Sequence, residues 1–201
     1  CPIITTNIDY LKFIKKIIEK NKIKKYKIIL EPLKKNTAPA ILTSALIKEI
    51  PLNQPMLFFS SDNLIKKINV INRAVYLHSK HLTDNNIFIF GIKPTSPSTE
   101  YGYFISKKNK KNLNKVQSFI EKPKNDTLKK IIKKKAYMNA GIFFTRKDSI
   151  INNFIKYDFD TYKICLESLM KGKNENNIYY PNIKYFKNLI PISFDYSILE
   201  K

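Results

Sequence analysis

Short β-branched apolar runs alternate in this chain with longer segments of helical periodicity, and that alternation constrains the fold more than any other feature. Residues 2–6 (Pro-Ile-Ile-Thr-Thr) read as a short buried strand. Asn7 can cap a helix running to about Asn21, with Tyr10, Phe13, Ile14, Ile17 and Ile18 on one face and lysines on the other. Residues 26–30 make the next strand, followed by a tight loop, a helix to about Ile50, and a loop over 51–55. Strand, helix, strand, helix is the pattern of a parallel sheet covered on both faces.

The continuous apolar run Met56-Leu57-Phe58-Phe59 is expected to be a central parallel strand. It ends in Ser60-Ser61-Asp62-Asn63, and a helix follows with Leu64, Ile65, Ile68, Ile71 and Val75 spaced for burial. Asp62 has two readings: it caps that helix, or it lies beyond a strand's carboxyl end, where open α/β sheets place their ligands. His78 and His81 lack a nearby carboxylate or cysteine and read as surface residues. Residues 87–92 form another strand, and the Pro- and Ser/Thr-rich loop after it re-enters a strand at Tyr103. Gly102, between two tyrosines, marks either a close backbone approach by a ligand or a β-bulge.

Residues 107–115 read as a solvated Lys/Asn hairpin tip and 116–120 as the returning strand, with Glu121-Lys122-Pro123 at its end. Strand alternation would aim Glu121 and Lys122 at opposite faces, one suited to sugar hydroxyls and the other to a phosphate. The alternative for this tripeptide is an exposed turn. A basic helix over 126–135 leads into Ala136-Tyr137-Met138-Asn139-Ala140-Gly141-Ile142-Phe143-Phe144, where Asn139 offers both a donor and an acceptor to a hydroxyl pair. Residues 148–171 read as helical, while 172–190 look irregular and carry no legible function.

Composition narrows the class. A chain of 201 residues with 43% hydrophobic content suits one α/β domain spanning 1–201. No apolar run approaches the roughly 20 residues of a membrane span, and the first residues lack the layout of a secretory signal. Cys1 and Cys165 make neither a disulfide framework nor a metal spacing, which points to a reducing cytoplasm. The net charge of +21 suggests an anionic partner such as nucleic acid. Against that, all 37 basic residues except Arg73 and Arg146 are lysines spread along the chain, whereas base and phosphate recognition favours arginine. A solvated basic surface is the expected reading. Four glycines, all isolated, build no glycine-rich phosphate loop.

One stretch is more specific. In Glu31-Pro32-Leu33-Lys34-Lys35-Asn36-Thr37-Ala38-Pro39-Ala40 a strand ends in a carboxylate able to accept from a base edge. Asn36 or Thr37 can cap the next helix, with Pro39 tolerated in its first turn. These residues resemble the EP-x-x-x-NTAPA signature of mannose-1-phosphate guanylyltransferases. The likeness continues in order through Ser61-Asp62, Tyr101-Gly102-Tyr103, Glu121-Lys122-Pro123, Asn139-Ala140-Gly141 and Ser193-Phe194-Asp195-Tyr196. Asn63 stands where the family has His, and Met138 and Ala140 replace Trp and Ser.

The resemblance implies a three-layer α/β/α, Rossmann-like nucleotidyltransferase domain with a mixed, mostly parallel sheet. It implies guanylyl transfer from GTP to mannose 1-phosphate, giving GDP-mannose and pyrophosphate for polysaccharide precursors. Glu31, Asn36, Thr37 and Ala38 are expected to contact guanine, and Gly102, Glu121 and Asn139 to hold mannose. Lys122 would pair with phosphate, and Asp62 and Asp195 would bind the catalytic Mg²⁺. The chain opens beyond the family's glycine-rich GG-x-G-x-R-L-x-P loop and lacks the isomerase domain of bifunctional members. The expectation is therefore an N-terminally truncated domain with little turnover alone: a fragment, or a subunit of a homodimer or of a partner chain that supplies the loop.

Overall fold

The computed structural model describes residues 1–107 and 113–201, so most of the expected 107–115 hairpin tip lies outside the described residues. In chain order come β1 (Ile3–Asn7), α1 (Leu11–Lys20), β2 (Lys27–Glu31), α2 (Thr37–Ala45), β3 (Pro55–Phe59), α3 (Ile68–His78), β4 (Ile87–Ile92) and β5 (Tyr103–Lys107). They are followed by β6 (Lys115–Ile120), α4 (Asn125–Lys133), β7 (Tyr137–Arg146), α5 (Lys147–Tyr157), α6 (Phe159–Met170), β8 (Lys173–Glu175), β9 (Ile178–Tyr180) and α7 (Ile183–Phe186). A π-helical turn, Asp195–Leu199, lies near the end. The chain divides into two units: Cys1–Pro51 with Ile150–Ile198, and Leu52–Ser149 with Leu199–Lys201.

The first unit holds the parallel ladder. Its strand order is β1-β2-β9-β8, with β1, β2 and β9 parallel and β8 antiparallel to β9. The apolar run of β2 is buried on both faces, as a central parallel strand requires. Ile28 and Leu30 pack with Ile18 of α1 and Ile178, while Ile29 turns the other way against Ile47, Tyr179 and Leu169 of α6. Helices therefore cover both faces of this sheet. Burying each of these side chains contributes about 2 kcal/mol.

Four sequence expectations change here. Asn7 caps a single 3-10 turn, accepting from the Asp9 N–H, before α1 begins. On α1 the inward face is Leu11, Ile14 and Ile18, and Phe13 is 60% exposed. The predicted helix over 148–171 is broken at Asp158, whose side chain accepts from the Thr161 N–H and caps α6. Finally, 172–190 is not irregular: β8 and β9 form a hairpin, and β9 completes the ladder beside β2. Its turn residues Asn176 and Asn177 both take positive φ, the geometry of a tight two-residue hairpin.

The second unit is organised on β7, which pairs with β3 over 142–146, with β4 over 138–145 and with β5 at Tyr137 and Met138. β6 lies beyond β5, and every strand pairing described in this sheet is antiparallel. The parallel assignment of Met56–Phe59 is thereby corrected. β3 runs antiparallel to β7 at the end of the sheet order, with Met56 its one buried residue and Phe59 43% exposed, so here a continuous apolar run reports neither strand direction nor a central place. The helix after Asp62 also starts later than expected, at Ile68, with Leu64 left 86% exposed.

Candidate functional site

Among the expected site residues, Glu31, Asn36, Thr37, Ala38 and Asp195 belong to the first unit, and Asp62, Gly102, Glu121, Lys122 and Asn139 to the second. Each group is built locally.

In the first unit, Asn36 takes a positive φ of 70° and its Oδ1 accepts the Thr37 N–H at 2.8 Å, capping α2. With a ψ of −169° this lies outside the left-handed helical region and is strained for any residue with a side chain. The segment 192–194 lies along this loop. Ala38 N–H donates to Ile192 O at 3.1 Å, Ile192 N–H to Lys35 O at 3.3 Å, and Phe194 N–H to Thr37 Oγ1 at 2.9 Å. The two stretches most suggestive in the sequence, one at each end, thus meet directly, and Asp195 follows at once. The π-helical turn that Asp195 opens is fastened by Ser197 Oγ, which donates to Asp158 Oδ2 at 2.6 Å. Lys35 Nζ holds the preceding loop, donating to Lys187 O at 2.9 Å and to Leu189 O.

These bonds specify what each residue has left to offer. Ala38 is buried and its N–H is committed. Thr37 Oγ1 accepts once and still has a proton to give. Glu31, at the end of β2, is only 8% exposed and its Oε1 is buried with no hydrogen-bond partner among the described residues. Burial pushes its carboxyl up to about 7. The buried Cys165 thiol is pushed up by its own burial and then by the charges of Glu31 and Asp158. It is therefore an inert core thiol.

In the second unit, the main chain of Gly102 is the hub. Its carbonyl accepts the Asn139 N–H at 2.8 Å, and an added Cβ would land on Glu121 Oε2 and within 2.9 Å of Phe119 Cζ. The glycine precedes β5, and the ladder irregularity falls instead between Ile105 and Ser106, so its role is close approach and not a bulge. Asn139 is nearly buried, and its Oδ1 accepts the Gly141 N–H at 3.2 Å. Gly141 needs its positive φ of 65° to turn there. β6 stops at Ile120, so Glu121 and Lys122 form a turn outside the strand, and the opposite-face expectation does not apply. Lys122 takes a φ of 45° and its N–H donates to Tyr101 O at 3.2 Å.

Asp62 does not cap α3, which begins six residues later at Ile68 with Lys67 at its N-cap. It is exposed, with no hydrogen bond or ion pair among the described residues, which leaves a hard oxygen donor available to a cation. Its neighbour Asn63, where the sequence departs from the resembled family, donates Nδ2–H to Ala140 O at 2.9 Å and ties that loop to the Asn139–Gly141 segment. Sequence reading missed this link, and it missed Glu200, whose Oε1 accepts the Glu121 N–H at 2.6 Å. Neither bond has a local sequence signal, because each joins residues far apart in the chain. His78 and His81 have ring centroids 6.1 Å apart, with His78 Nδ1 buried and unpartnered among the described residues. Among the described residues no group of three or more His, Cys, Asp or Glu is arranged to hold a metal ion.

Comparison with known proteins fits this arrangement. A family model described as nucleotidyl transferase matches residues 2–179. A mannose-1-phosphate guanylyltransferase of Escherichia coli is 32% identical over 183 residues, covering 87% of this chain and 39% of that protein. The alginate biosynthesis protein AlgA of Pseudomonas fluorescens is 27% identical over 205 residues, covering 100% of this chain and 42% of its own length. The chain thus spans about two fifths of the curated relatives it matches. A crystal structure of a Helicobacter pylori protein described as mannose-6-phosphate isomerase superposes with a TM-score of 0.86 at 28% identity, over 99% of this chain and 78% of that one. A Thermus thermophilus crystal structure described as mannose-1-phosphate geranyltransferase shares the fold, with a TM-score of 0.78 at 20% identity over 99% and 56% of the two chains. No helix among the described residues is long and apolar enough to cross a membrane.

Proposed function

This chain belongs to the nucleotidyl transferase family, and from that premise we propose that it serves guanylyl transfer from GTP to mannose 1-phosphate. A phosphate oxygen of the sugar phosphate forms the new bond to the α-phosphorus of GTP. The bond from that phosphorus to the bridging oxygen of the β-phosphate breaks, and pyrophosphate leaves with the electron pair. Such a reaction asks the protein for in-line positioning and charge neutralisation.

The observation that carries this reading is the joined cluster of Gly102, Glu121, Lys122 and Asn139 in one unit. The main chain of Gly102 is joined to Asn139 and faced by the Glu121 carboxylate, and Lys122 follows Glu121 in the same turn. Carboxylate and amide suit the hydroxyls of a hexose, and the ammonium offsets the charge of its phosphate. In the other unit, Asn36, Thr37 and Ala38 would form the rim on which guanine sits, with Glu31 behind them. Asp62 and Asp195 are the residues that would hold Mg²⁺, which neutralises phosphate charge when bound. Finished GDP-mannose would feed polysaccharide assembly, in keeping with the relatives named for alginate biosynthesis.

Calorimetric titration of the chain with mannose 1-phosphate tests the reading. Saturable binding that falls at least about tenfold in Asn139→Ala, with glucose 1-phosphate binding more weakly, is the expected result. Equal binding of any phosphate ester, indifferent to Asn139 and lost steeply with salt, would instead reveal a nonspecific basic surface.

A further inference from the structure

Lys122 sits in a backbone region that non-glycine residues enter at a penalty of roughly 1 kcal/mol or more. The buried Pro123 after it restricts it further, because a following proline disfavours the right-handed helical region. Something must hold this turn, and three contacts do. Lys122 N–H donates to Tyr101 O at 3.2 Å, and the Glu121 carboxylate lies over the bare face of Gly102. The third is the Glu121 N–H, which donates to Glu200 Oε1 at 2.6 Å. That bond is short and charge-assisted, the strongest class available to a main-chain amide.

Glu200 lies almost eighty residues further along the chain, in the short terminal segment that belongs to the same unit. Its side chain reaches the main-chain amide of Glu121, the residue that opens the Glu121–Lys122 turn. We propose that Glu200 is a positioning residue, setting the Glu121–Lys122 turn in the geometry that receives the sugar phosphate. It works as an acceptor for the Glu121 N–H and touches no substrate atom. This inference rests on the reading of that cluster as the sugar-phosphate site.

The bond needs an acceptor oxygen, not a charge, so the two substitutions Glu200→Ala and Glu200→Gln separate the roles. In the full chain, Glu200→Ala should weaken mannose 1-phosphate binding about tenfold, leave GTP affinity unchanged, lower the unfolding midpoint slightly without unfolding the chain, and expose the Glu121 amide to faster hydrogen exchange. Glu200→Gln should restore both the affinity and the protection of that amide. Equal loss of GTP and mannose 1-phosphate in Glu200→Ala would overturn the proposal, as would a Glu200→Gln protein as weak as Glu200→Ala. A Glu121 amide indifferent to Glu200, in a chain that does bind mannose 1-phosphate, would overturn the positioning role alone. A protected Glu121 amide in a chain that binds no sugar phosphate would overturn the functional reading, and the purpose given to Glu200 with it.

Discussion

Glu31 is the residue whose burial has the plainest thermodynamic consequence. Its carboxyl is raised from 4.5 to about 7, so between those values the folded chain holds a proton that the unfolded chain releases. Stability from this group is therefore complete below about pH 4.5, declines as pH rises, and is gone above about 7. The shift corresponds to roughly 3 kcal/mol at most. Urea unfolding at pH 5 and pH 8 should show the native chain losing stability relative to Glu31→Gln, whose profile over this range is flatter; parallel profiles would refute the buried-carboxyl account. At Gly102, steric space decides. Gly102→Ala would press a methyl group into Glu121 and Phe119, and mannose 1-phosphate affinity should drop about tenfold or more while GTP affinity holds. The sequence singled out a carboxylate at the end of a strand and a glycine between two tyrosines at these places. It could not show that Glu31 is withdrawn from water, because burial comes from strands and helices distant in the chain.

Among the elements, the local ones were legible and the long-range ones were not. The apolar run of β2, the Asn36 cap and the start of α2 each follow from neighbouring residues, and all three stand as the sequence implied. The direction of β3 did not, since pairing with β7 is set across almost ninety residues and leaves no trace in its composition. The β8–β9 hairpin did have a signal, the Asn176-Asn177 pair, hidden in a stretch whose polar composition suggested a loop. Asn177→Gly should stabilise the chain by about 0.5–1 kcal/mol and Asn177→Val should destabilise it by about 1 kcal/mol or more, both read by thermal unfolding. The junction between α2 and the 192–195 segment makes a sharper case. Thr37→Val leaves the Phe194 N–H without its acceptor and should lower stability by about 1–3 kcal/mol, whereas Thr37→Ser keeps it. A loss in Thr37→Ser with none in Thr37→Val would show that the methyl group and not the hydroxyl secures the junction.

For the whole molecule, the family and the α/β class were legible because the motifs recur in order along the chain. Helices on both faces of the parallel β1-β2-β9 ladder match the layered architecture expected of that class. The charge of +21, the most conspicuous feature of the composition, carries no motif and explains no part of the fold. The central claim is that the chain binds a nucleotide sugar with the help of a divalent cation, and that Asp62 and Asp195 each contribute to that binding. Calorimetric titration with GDP-mannose and Mg²⁺ of the unsubstituted chain, Asp62→Ala, Asp195→Ala and the double substitution tests it most directly. Each single substitution should weaken the Mg²⁺-dependent binding about tenfold or more. Binding that is indifferent to both aspartates, or equally tight without Mg²⁺, would contradict the account.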